Sequence, residues 1–541
     1  MALTAADAVA RALRDAGVGR MYGVPSGGSI VDLIEAGRRV GLRFVLTAQE
    51  SPAAMMAATE AELTGVPGVC LATLGPGAAN AANGVAHAAL DRAPTLIITD
   101  RYPASLPEAL TRQRVDHAGL YRGLAKGSFV VGAARADATV ARALRLAQLP
   151  PRGPVHLDLP SDVTTKPSPP LRPLASAVRP TAANARALSR AAAMLARARR
   201  PLILAGLGAG GDAAAKALVT LAERLGAPVL STYKAKGAIP DAHPLAAGPL
   251  AGGTLEDRLI GPADLLVAVG LDTVELFPRP WSYPQPVIDV SEDPTSPRAF
   301  RPAIQVIGDL AASVGGLAEA GGTAPGAPAW GAAAAQAFKA EARRRLAAAS
   351  ARGRGGIPPH RAVEIAREVA PPDTVLTVDS GAHMFLTSFF WDAPGPRTYL
   401  CSSGHATMGY ALPGAMAAKL CGPRRPVLAV IGDGGLLMVA GELATAAREK
   451  LPVVVLCVND RTLTLIKIKQ AAKRYPAAGV DIPGVDYARL AESLGARGFP
   501  ARDEGELAAA LREAFACGAP AVVDARVDPR GYGAVLRVLR G

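Results

Sequence analysis

The feature that most constrains the fold is a repeated alternation of short, apolar, β-rich runs with longer helical stretches. This rhythm is typical of parallel sheets in which crossover helices join successive strands. It begins at Val18 and continues to about Asp162. The strands predicted in this part of the chain are Arg20–Gly23, Phe44–Thr47, Gly68–Thr73, Thr95–Thr99 and Val155–Leu159.

The same rhythm recurs twice, after passages rich in proline or glycine at 160–180 and 315–330. A chain of 541 residues also exceeds what one hydrophobic core supports. We therefore predict an α/β protein with three consecutive domains, 1–170, 185–320 and 355–541, each built on a parallel sheet. The later predicted strands are Pro201–Gly206, Ala227–Ser231, Leu265–Val269, Val287–Val290, Thr374–Asp379, Pro426–Ile431, Val453–Asn459 and Ala521–Asp524.

Charge and cysteine usage argue against several classes of protein. The formal net charge is +13, but the basic residues are scattered, which indicates solvated faces rather than a nucleic-acid site. Five cysteines without a C-x-x-C pair argue against a disulfide framework or a zinc site. Thr4 and Asp7 predict a capped helix start rather than an export signal, and no apolar run reaches membrane-span length. We therefore expect a cytoplasmic protein.

A glycine-rich run with one carboxylate directly follows the predicted strand Pro426–Ile431, and Asn459 ends the strand that starts at Val453. The run is Gly432, Asp433, Gly434 and Gly435. Both polar groups are expected at the carboxyl ends of neighbouring parallel strands, where open α/β sheets bind ligands. Carboxylate and amide oxygens suit Mg²⁺, and glycines let backbone N–H groups approach a diphosphate.

This pattern, Gly-Asp-Gly followed by roughly two dozen residues and an asparagine after an apolar strand, resembles the fingerprint of thiamine-diphosphate enzymes. The resemblance implies that Asp433, Asn459 and the main-chain carbonyl of Arg461 bind Mg²⁺. It also implies that the run Gly432–Gly435 contacts the cofactor and that the third domain is the diphosphate-binding domain.

The amino-terminal part of the chain resembles the pyrimidine-binding domain of acetolactate synthases. Glu50 follows the predicted strand Phe44–Thr47, and a glycine-rich segment from Gly75 to Asn80 follows the next strand. In that family the glutamate shares a proton with the pyrimidine ring and so promotes removal of the thiazolium C2 proton. The resemblance implies this role for Glu50 and cofactor contacts for Pro25, Gly75 and Asn80. Taken alone, Glu50 would more often be a helix-start carboxylate that interacts with the helix dipole; the distant Gly-Asp-Gly and Asn459 reverse that preference.

Two further segments resemble cofactor-binding parts of the family. The segment Ser402–Ala415 implies that Met408 is the apolar side chain beneath the bent cofactor and that the carbonyl of Ala406 accepts from its amino group. The segment Asp379–His383 implies a diphosphate contact for His383. Without the resemblance, Met408 would be core filler, and a surface histidine is an equal alternative for His383.

Substrate-side residues are also implied by the resemblance. In acetolactate synthases a glutamine in the setting of Gln113 faces the reactive carbon of the cofactor, and a lysine follows at the interval of Lys126. We therefore expect Gln113 on the substrate side. His117 is a candidate proton donor, although a packed histidine is an equal alternative.

The sequence departs from the family pattern in three places. Gln49 stands where synthases usually have histidine, and Lys469 stands where biosynthetic synthases have the tryptophan that selects the second 2-oxo acid. The third departure is in the middle domain, predicted to be Rossmann-like. Its run Gly206–Gly211 lacks an acidic residue at the end of the next strand, so bound FAD is possible but not favoured.

The leading interpretation is an enzyme that uses thiamine diphosphate and Mg²⁺ to decarboxylate a 2-oxo acid and transfer the acyl unit. The alternatives are a non-ligating decarboxylase, a lyase or hydrolase acting on a diketone, acyloin or 2-hydroxyacyl-CoA, and a flavin-linked oxidase. A non-catalytic nucleotide-binding relative would not need Glu50. From the resemblance we expect a homodimer or dimer of dimers with active sites at the subunit interface, and no nucleic-acid or membrane partner.

Overall fold

The computed structural model describes residues 3–169, 182–276, 280–295, 297–320, 327–351 and 355–541. By contacts the chain forms two compact units. Unit 1 comprises residues 1–179, 404–424 and 439–451, and unit 2 comprises residues 180–403, 425–438 and 452–541. The predicted linkers fall partly on residues 170–181 and 321–326, which lie outside the described residues.

The described part of the chain alternates strands and helices throughout. The strands are β1 Arg20–Gly23, β2 Arg43–Leu46, β3 Gly68–Ala72, β4 Thr95–Arg101, β5 Ser128–Val130, β6 Val155–Pro160, β7 Pro201–Ala205, β8 Val229–Ser231, β9 Ala246–Pro249, β10 Leu265–Val269, β11 Val287–Ser291, β12 Ile304–Ile307, β13 Val375–Val378, β14 Tyr399–Cys401, β15 Val427–Gly432, β16 Val454–Asn459, β17 Arg497–Ala501 and β18 Ala521–Arg526.

The helices are α1 Ala5–Asp15, α2 Ser29–Arg39, α3 Glu50–Thr64, α4 Pro76–Leu90, α5 His117–Tyr121, α6 Ala136–Gln148, α7 Ala185–Leu195, α8 Asp212–Leu225, α9 Asp257–Ile260, α10 Leu310–Ala320, α11 Ala327–Ser350, α12 Pro359–Val369, α13 Ala382–Phe390, α14 Ala411–Cys421, α15 Asp433–Val439, α16 Glu442–Arg448, α17 Thr464–Ala472, α18 Tyr487–Ser493, α19 Glu504–Ala516 and α20 Tyr532–Arg540. None of the described helices is both long and apolar enough to cross a bilayer.

Three parallel sheets of six strands organise this part of the chain. Unit 1 contains the sheet β2-β1-β3-β4-β6-β5, and unit 2 contains the sheets β12-β11-β10-β7-β8-β9 and β14-β13-β15-β16-β18-β17. The central strands are buried apolar runs, as expected when helices cover both faces of a parallel sheet. The predicted fold class, three α/β domains with parallel sheets, is confirmed.

Unit 1 includes two helices from late in the chain. Helices α14 and α16 belong to it, although both lie inside the range 355–541 predicted as the third domain. Helix α14 packs along α3, where Oγ1 of Thr59 donates to the hydroxyl of Tyr410 at 3.2 Å. The predicted start of α1 is confirmed, because Thr4 and Asp7 form a reciprocal capping box.

Candidate active site

Glu50 begins helix α3 and is only 6% exposed. Its Oε2 accepts a 3.1 Å hydrogen bond from Nδ2 of Asn80 in α4. A Cβ atom at Gly77 would lie 2.9 Å from Oε1 of Glu50 and 2.7 Å from Cγ2 of Thr73, so only glycine leaves room for the carboxyl group there. The predicted residues Glu50 and Asn80 are therefore in direct contact, with the carboxyl group held against the first turns of α4.

Helix α4 starts at a tight turn that gathers three of the predicted residues. Gly75 has a φ of +67°, in the left-handed region that favours glycine. A Cβ atom at Gly75 would lie 2.6 Å from the main-chain oxygen of Gln113, whose own φ is +56°. The N–H of Gly75 donates to Nε2 of His117 at 3.1 Å. Gly75, Gln113 and His117 thus form one cluster, with the side chain of Gln113 exposed.

Both ring nitrogens of His117 are engaged in this structure. Nε2 accepts from Gly75, and Nδ1 lies 2.8 Å from Oδ1 of the buried Asp158. His117 is itself buried. Its predicted role as a proton donor therefore stays a prediction that would require breaking one of these bonds. Lys126 donates to the main-chain oxygen of Leu149.

The start of α3 is held by a residue that the sequence did not single out. Oε1 of the buried Glu442 accepts from the N–H groups of Ala48 and Gln49, at 3.0 and 3.2 Å. These donors directly precede Glu50, so Glu442 fixes the backbone that carries the candidate acid–base group. Burial raises the pKa of Glu442 to about 7. No local signal marks this residue, because its partners lie almost 400 positions away in the chain.

Met408 and Ala406 lie in a segment of unit 1 just before α14. Ala406 has a φ of +52°, a region that residues with a Cβ atom rarely adopt and that often marks binding sites. Nδ2 of Asn83 in α4 donates to Oγ1 of the neighbouring Thr407 at 3.1 Å. This segment is therefore attached to the helix that also holds the buried carboxyl group of Glu50.

Pro25 lies exposed in the loop between β1 and α2. Asp100 near the end of β4 organises this loop, because its carboxylate accepts from the hydroxyls of Ser26 and Ser29 at 3.0 and 2.7 Å. A Cβ atom at Gly28 would lie 2.2 Å from the same carboxylate. The loop is thus fixed at the carboxyl edge of the sheet, where parallel sheets bind their ligands.

In unit 2, Asp433 directly follows β15 and Asn459 is the last residue of the neighbouring strand β16, so both lie at the same edge of the sheet. The carboxylate of Asp433 accepts from the N–H groups of Gly434 and Arg461, at 2.8 and 2.6 Å. Arg461 has a φ of +59°. The structure therefore brings together the three residues predicted as metal ligands.

Two more carboxylates lie in this cluster. Oδ1 of Asp524 accepts from Nδ2 of Asn459 at 2.7 Å, and Oδ1 of Asn459 accepts from Nη1 of Arg526 at 3.0 Å. Burial raises the pKa of Asp433, of Asp524 and of Asp460, the last to about 7, and the charge of Asp433 contributes to the shift at Asp460. A divalent cation would relieve the cost of placing these acids together. Asp524 ends a predicted strand, which is the signal by which it could have been found.

His383 lies in the same sheet-edge region, at the start of α13. Its Nε2 is buried and has no hydrogen-bond partner among the described residues. Burial lowers the pKa of His383 to about 4, so the ring is neutral. Cβ atoms at Gly381 and Gly432 would lie 2.7 and 3.3 Å from Cε1 of the ring. The main chain of Asp379 accepts from the ring, and because Nε2 has no partner in the described part of the chain the donor is Nδ1, so Nε2 of the neutral ring is a buried acceptor beside the acidic cluster.

Close backbone approach explains another predicted glycine. A Cβ atom at Gly435 would lie 2.1 Å from Oδ2 of Asp379, so a larger residue would displace that carboxylate. Tyr487 in α18 supports the same turn, because its hydroxyl donates to the main-chain oxygen of Asp433 at 3.1 Å. Tyr487 was not predicted, and its sequence surroundings carry no motif.

The glycine-rich loop of the central sheet is occupied by a side chain of the protein itself. Oε2 of Glu275 accepts from the N–H groups of Leu207 and Asp272, at 2.8 and 3.4 Å, and Oε1 accepts from Oγ1 of Thr232. A Cβ atom at Gly206 would lie 2.8 Å from this carboxyl group. Burial raises the pKa of Glu275 to about 8. The loop that resembles a dinucleotide fingerprint therefore binds an internal carboxyl group.

Comparison with known proteins identifies all three parts of the chain. Residues 3–120 match the amino-terminal thiamine pyrophosphate binding domain of thiamine pyrophosphate enzymes. Residues 188–317 match the central domain of these enzymes, and residues 379–525 match their carboxyl-terminal thiamine pyrophosphate binding domain. The fold is thus that of a thiamine-diphosphate-dependent enzyme.

Among curated proteins, acetolactate synthase of Mycobacterium bovis is 31% identical over 96% of this chain and 88% of its own length. Acetolactate synthase of Bacillus subtilis is 29% identical over 97% of this chain and 93% of its own length. A probable 2-ketoarginine decarboxylase of Pseudomonas aeruginosa is 32% identical over 95% of this chain and 92% of its own length. The chain belongs to the acetolactate-synthase-like branch of the thiamine pyrophosphate enzyme family.

Proposed function

We propose that the protein decarboxylates a 2-oxo acid and transfers the resulting acyl unit to an acceptor carbonyl. The observation that carries this proposal is the buried carboxyl group of Glu50, held by Asn80 against α4, in a chain that also has the Asp433–Asn459 edge. A non-catalytic relative would not need to bury an ionisable group beside a glycine that leaves room for it.

The residues divide into proton-handling and binding groups. When bound, thiamine diphosphate supplies the nucleophilic carbon and then the electron sink for the carboxylate-derived electron pair. Glu50 holds the proton that is shared with the pyrimidine ring. Ala406 and Met408 bind and orient the ring, and Gln113 faces the substrate. These roles are proposals that rest on the positions of the residues and on the family to which the chain belongs.

Asp433, Asn459 and the main-chain carbonyl of Arg461 are proposed to bind Mg²⁺. Their oxygen atoms are hard ligands, and the accumulated carboxylates favour a divalent cation. The unpartnered Nε2 of His383 is proposed to contact the diphosphate when the ring gains a second proton, which the negative charge of the diphosphate favours. The Mg²⁺ ion would neutralise both the acidic cluster and the cofactor diphosphate.

A second candidate reaction, decarboxylation without transfer, is favoured by two observations. One relative of similar identity is a probable 2-ketoarginine decarboxylase. In addition, Lys469 on α17 replaces the tryptophan that selects the second substrate in biosynthetic synthases, and Lys469 is exposed. The hydroxyl of Thr464 anchors α17 to Asp460 at 2.6 Å, so this helix starts directly beside the proposed metal site.

The proposal predicts CO₂ release from at least one 2-oxo acid by protein reconstituted with thiamine diphosphate and Mg²⁺. The panel should contain pyruvate, a longer apolar acid, a 2-oxo dicarboxylic acid and an acid with a cationic side chain. Acyloin analysis separates transfer from simple decarboxylation. Tight cofactor binding without CO₂ from any acid would contradict the proposal and favour cleavage of a diketone, acyloin or 2-hydroxyacyl-CoA.

We infer further that the central domain binds no FAD, since the carboxyl group of Glu275 occupies the N–H of Leu207 in its glycine-rich loop and the N–H of Asp272 beside it. We expect the purified protein to show no flavin absorbance. Replacing Glu275 with alanine should destabilise the protein by about 1–3 kcal/mol for each buried donor left unpaired, measured by denaturant unfolding. Stoichiometric flavin released from the denatured wild-type protein would contradict this inference.

A second subunit is proposed to complete the active site. Leu437, Met438 and Ile466 are 41–55% exposed and flank the segments that carry Asp433 and Arg461. Large apolar side chains beside a polar site are typical of surfaces that another chain covers. We propose a homodimer or dimer of dimers located in the cytoplasm, acting on small molecules.

A further inference from the structure

We propose that His117 and Asp158 form a positioning pair that fixes the start of α4 and thereby the carboxyl group of Glu50. In this assignment His117 is an acceptor for a main-chain N–H group and not a proton donor to substrate. The role in catalysis rests on the proposed function, whereas the geometry of the pair does not.

The pair lies in a fully hydrogen-bonded buried cluster. Nδ1 of His117 lies 2.8 Å from Oδ1 of Asp158, which also accepts from Oγ1 of Thr99 at 2.8 Å. Nε2 of His156 lies 2.7 Å from the same Thr99 hydroxyl, and Nδ1 of His156 lies 2.6 Å from Oγ of Ser128. Each of these side chains has its partners inside the protein, so the arrangement is defined by β4, β5, β6 and α5 together.

The partners determine which nitrogen of His117 carries the proton. Oδ1 of the Asp158 carboxylate carries no proton and already accepts from the Thr99 hydroxyl, so it can only accept from His117. Nδ1 of His117 is therefore the donor, and Nε2 is free to accept. Burial pushes the pKa of Asp158 upward, but the hydrogen bonds from His117 and Thr99 hold it below its ordinary value. Nη1 of Arg101 contacts Oδ2 of Asp158 at 2.9 Å and balances its charge.

The free Nε2 is the atom that receives the N–H of Gly75. Gly75 precedes Pro76, the first residue of α4, so this bond sets where the helix begins. Two turns of that helix contain both contacts of Glu50, namely the close approach at Gly77 and the donor Asn80. A shift of Gly75 would therefore move the proton-handling carboxyl group, and errors of about 1 Å can lower a rate about 100-fold.

The same side chains could be considered as a metal site, because the ligand atoms of His117, His156 and Asp158 lie within 4.8 Å of one another. Two observations favour the positioning pair. Nδ1 of His117 already bonds Oδ1 of Asp158 directly, at 2.8 Å. Nε2 of His156 and Oδ1 of Asp158 are both bonded to the Thr99 hydroxyl, at 2.7 and 2.8 Å. A dication would also lie beside the guanidinium group of Arg101, which is bonded to the same carboxylate.

The test compares three variants, His117→Gln, His117→Asn and His117→Leu, in the full-length protein with thiamine diphosphate and Mg²⁺. The Oε1 of glutamine can reach the position of Nε2 and accept from Gly75, whereas asparagine can replace only Nδ1. Leucine can replace neither. We expect kcat to fall up to about 100-fold in the asparagine and leucine variants and to be substantially retained with glutamine, with KM and cofactor affinity little changed.

Asp158→Asn provides an independent variant. In this variant the guanidinium group of Arg101 would still bind the amide oxygen, so the amide N–H₂ would face Nδ1 of His117. Nδ1 would then have to accept, which favours the tautomer with the proton on Nε2. Nε2 would then carry a proton and oppose the N–H of Gly75. The expected loss of kcat should match that of His117→Asn. Equal inactivation of the glutamine and asparagine variants, with loss of one limb of the pH–rate profile, would overturn the proposal in favour of proton transfer by His117.

Hydrogen exchange at the amide of Gly75 tests the geometry without any assay of activity. Protection should be retained in His117→Gln and lost in His117→Leu, and this holds whether or not a 2-oxo acid is the substrate. If protection follows this pattern but no acid is decarboxylated, the proposed function fails and the positioning pair stands. Unchanged protection in His117→Leu, or stoichiometric zinc that is lost in Asp158→Ala, would overturn the pair.

Discussion

Replacing Glu50 with glutamine is expected to abolish turnover of any 2-oxo acid while leaving the protein folded. Glutamine has nearly the same shape, so the contact at Gly77 is preserved, and its amide oxygen can still accept from Asn80. It cannot share a proton with the pyrimidine ring. Loss of a positioned acid–base group typically lowers the rate by about 10²- to 10⁴-fold, and thiamine diphosphate should still bind.

Glu60 offers a matched control on the same helix. It is also buried, but it lies ten positions away, about 15 Å along α3, and pairs with Arg20 and Tyr22. Glu60→Gln should lower the melting temperature by weakening this pair and should keep CO₂ release. Initial rates and cofactor titrations of both variants test whether the loss of activity is specific to Glu50. A Glu50→Gln protein with close to wild-type activity would remove Glu50 from the mechanism.

The residues around Glu50, in direct contact or one step away, show what the sequence can predict. Glu50, Gly75 and Asn80 belong to a compact motif, so they were predicted without coordinates. Glu442 was not, since it reaches Ala48 from a distant part of the chain. The sequence suggested His117 as a proton donor or packed residue, but the bonds to Asp158 and Gly75 depend on three-dimensional packing that spacing does not encode.

The strands also divide into those that the sequence predicts and those that it does not. The strands predicted from apolar runs all exist, with ends that differ by at most two residues. The five strands that were not predicted, β5, β9, β12, β14 and β17, all lie at sheet edges. An edge strand has one neighbour and need not be an uninterrupted apolar run, so its sequence carries a weaker signal. The central strands, among them β15 and β16 next to Asp433 and Asn459, carry the strongest signal.

The acidic edge of the third sheet was predicted only in part. Gly-Asp-Gly and Asn459 form a recognisable pattern, and Asp433 and Asn459 lie at the carboxyl ends of adjacent strands as expected. Asp524 was not predicted as part of the site, because its proximity to Asn459 follows from the order β15-β16-β18, which places a much later strand next to β16. Strand order is a property of the whole sheet and cannot be derived from one motif.

This acidic edge gives the second prediction of large effect, Asp433→Asn. Losing a hydrogen-bond partner of a metal ligand typically costs about 10- to 100-fold in affinity, and losing the anionic ligand itself is expected to cost more. Cofactor-free stability should fall only modestly. The amide N–H₂ would face one of the two N–H groups that the carboxylate now accepts from, which costs about 1–3 kcal/mol, but the substitution also removes a charge that opposes ionisation of Asp460.

Thermal unfolding with and without thiamine diphosphate and Mg²⁺ separates these two effects. The wild-type protein should be stabilised by the cofactor and metal together, since ligands that bind only the folded state raise its melting temperature. Asp433→Asn should unfold a few degrees below the wild-type protein without them, because one main-chain N–H loses its acceptor, and should gain little from them. Asp503→Asn is the matched control, because asparagine caps α19 as well as aspartate does. A full cofactor-dependent shift in Asp433→Asn would show that Mg²⁺ binds elsewhere, whereas its loss in both variants would indicate a general effect of removing a carboxylate.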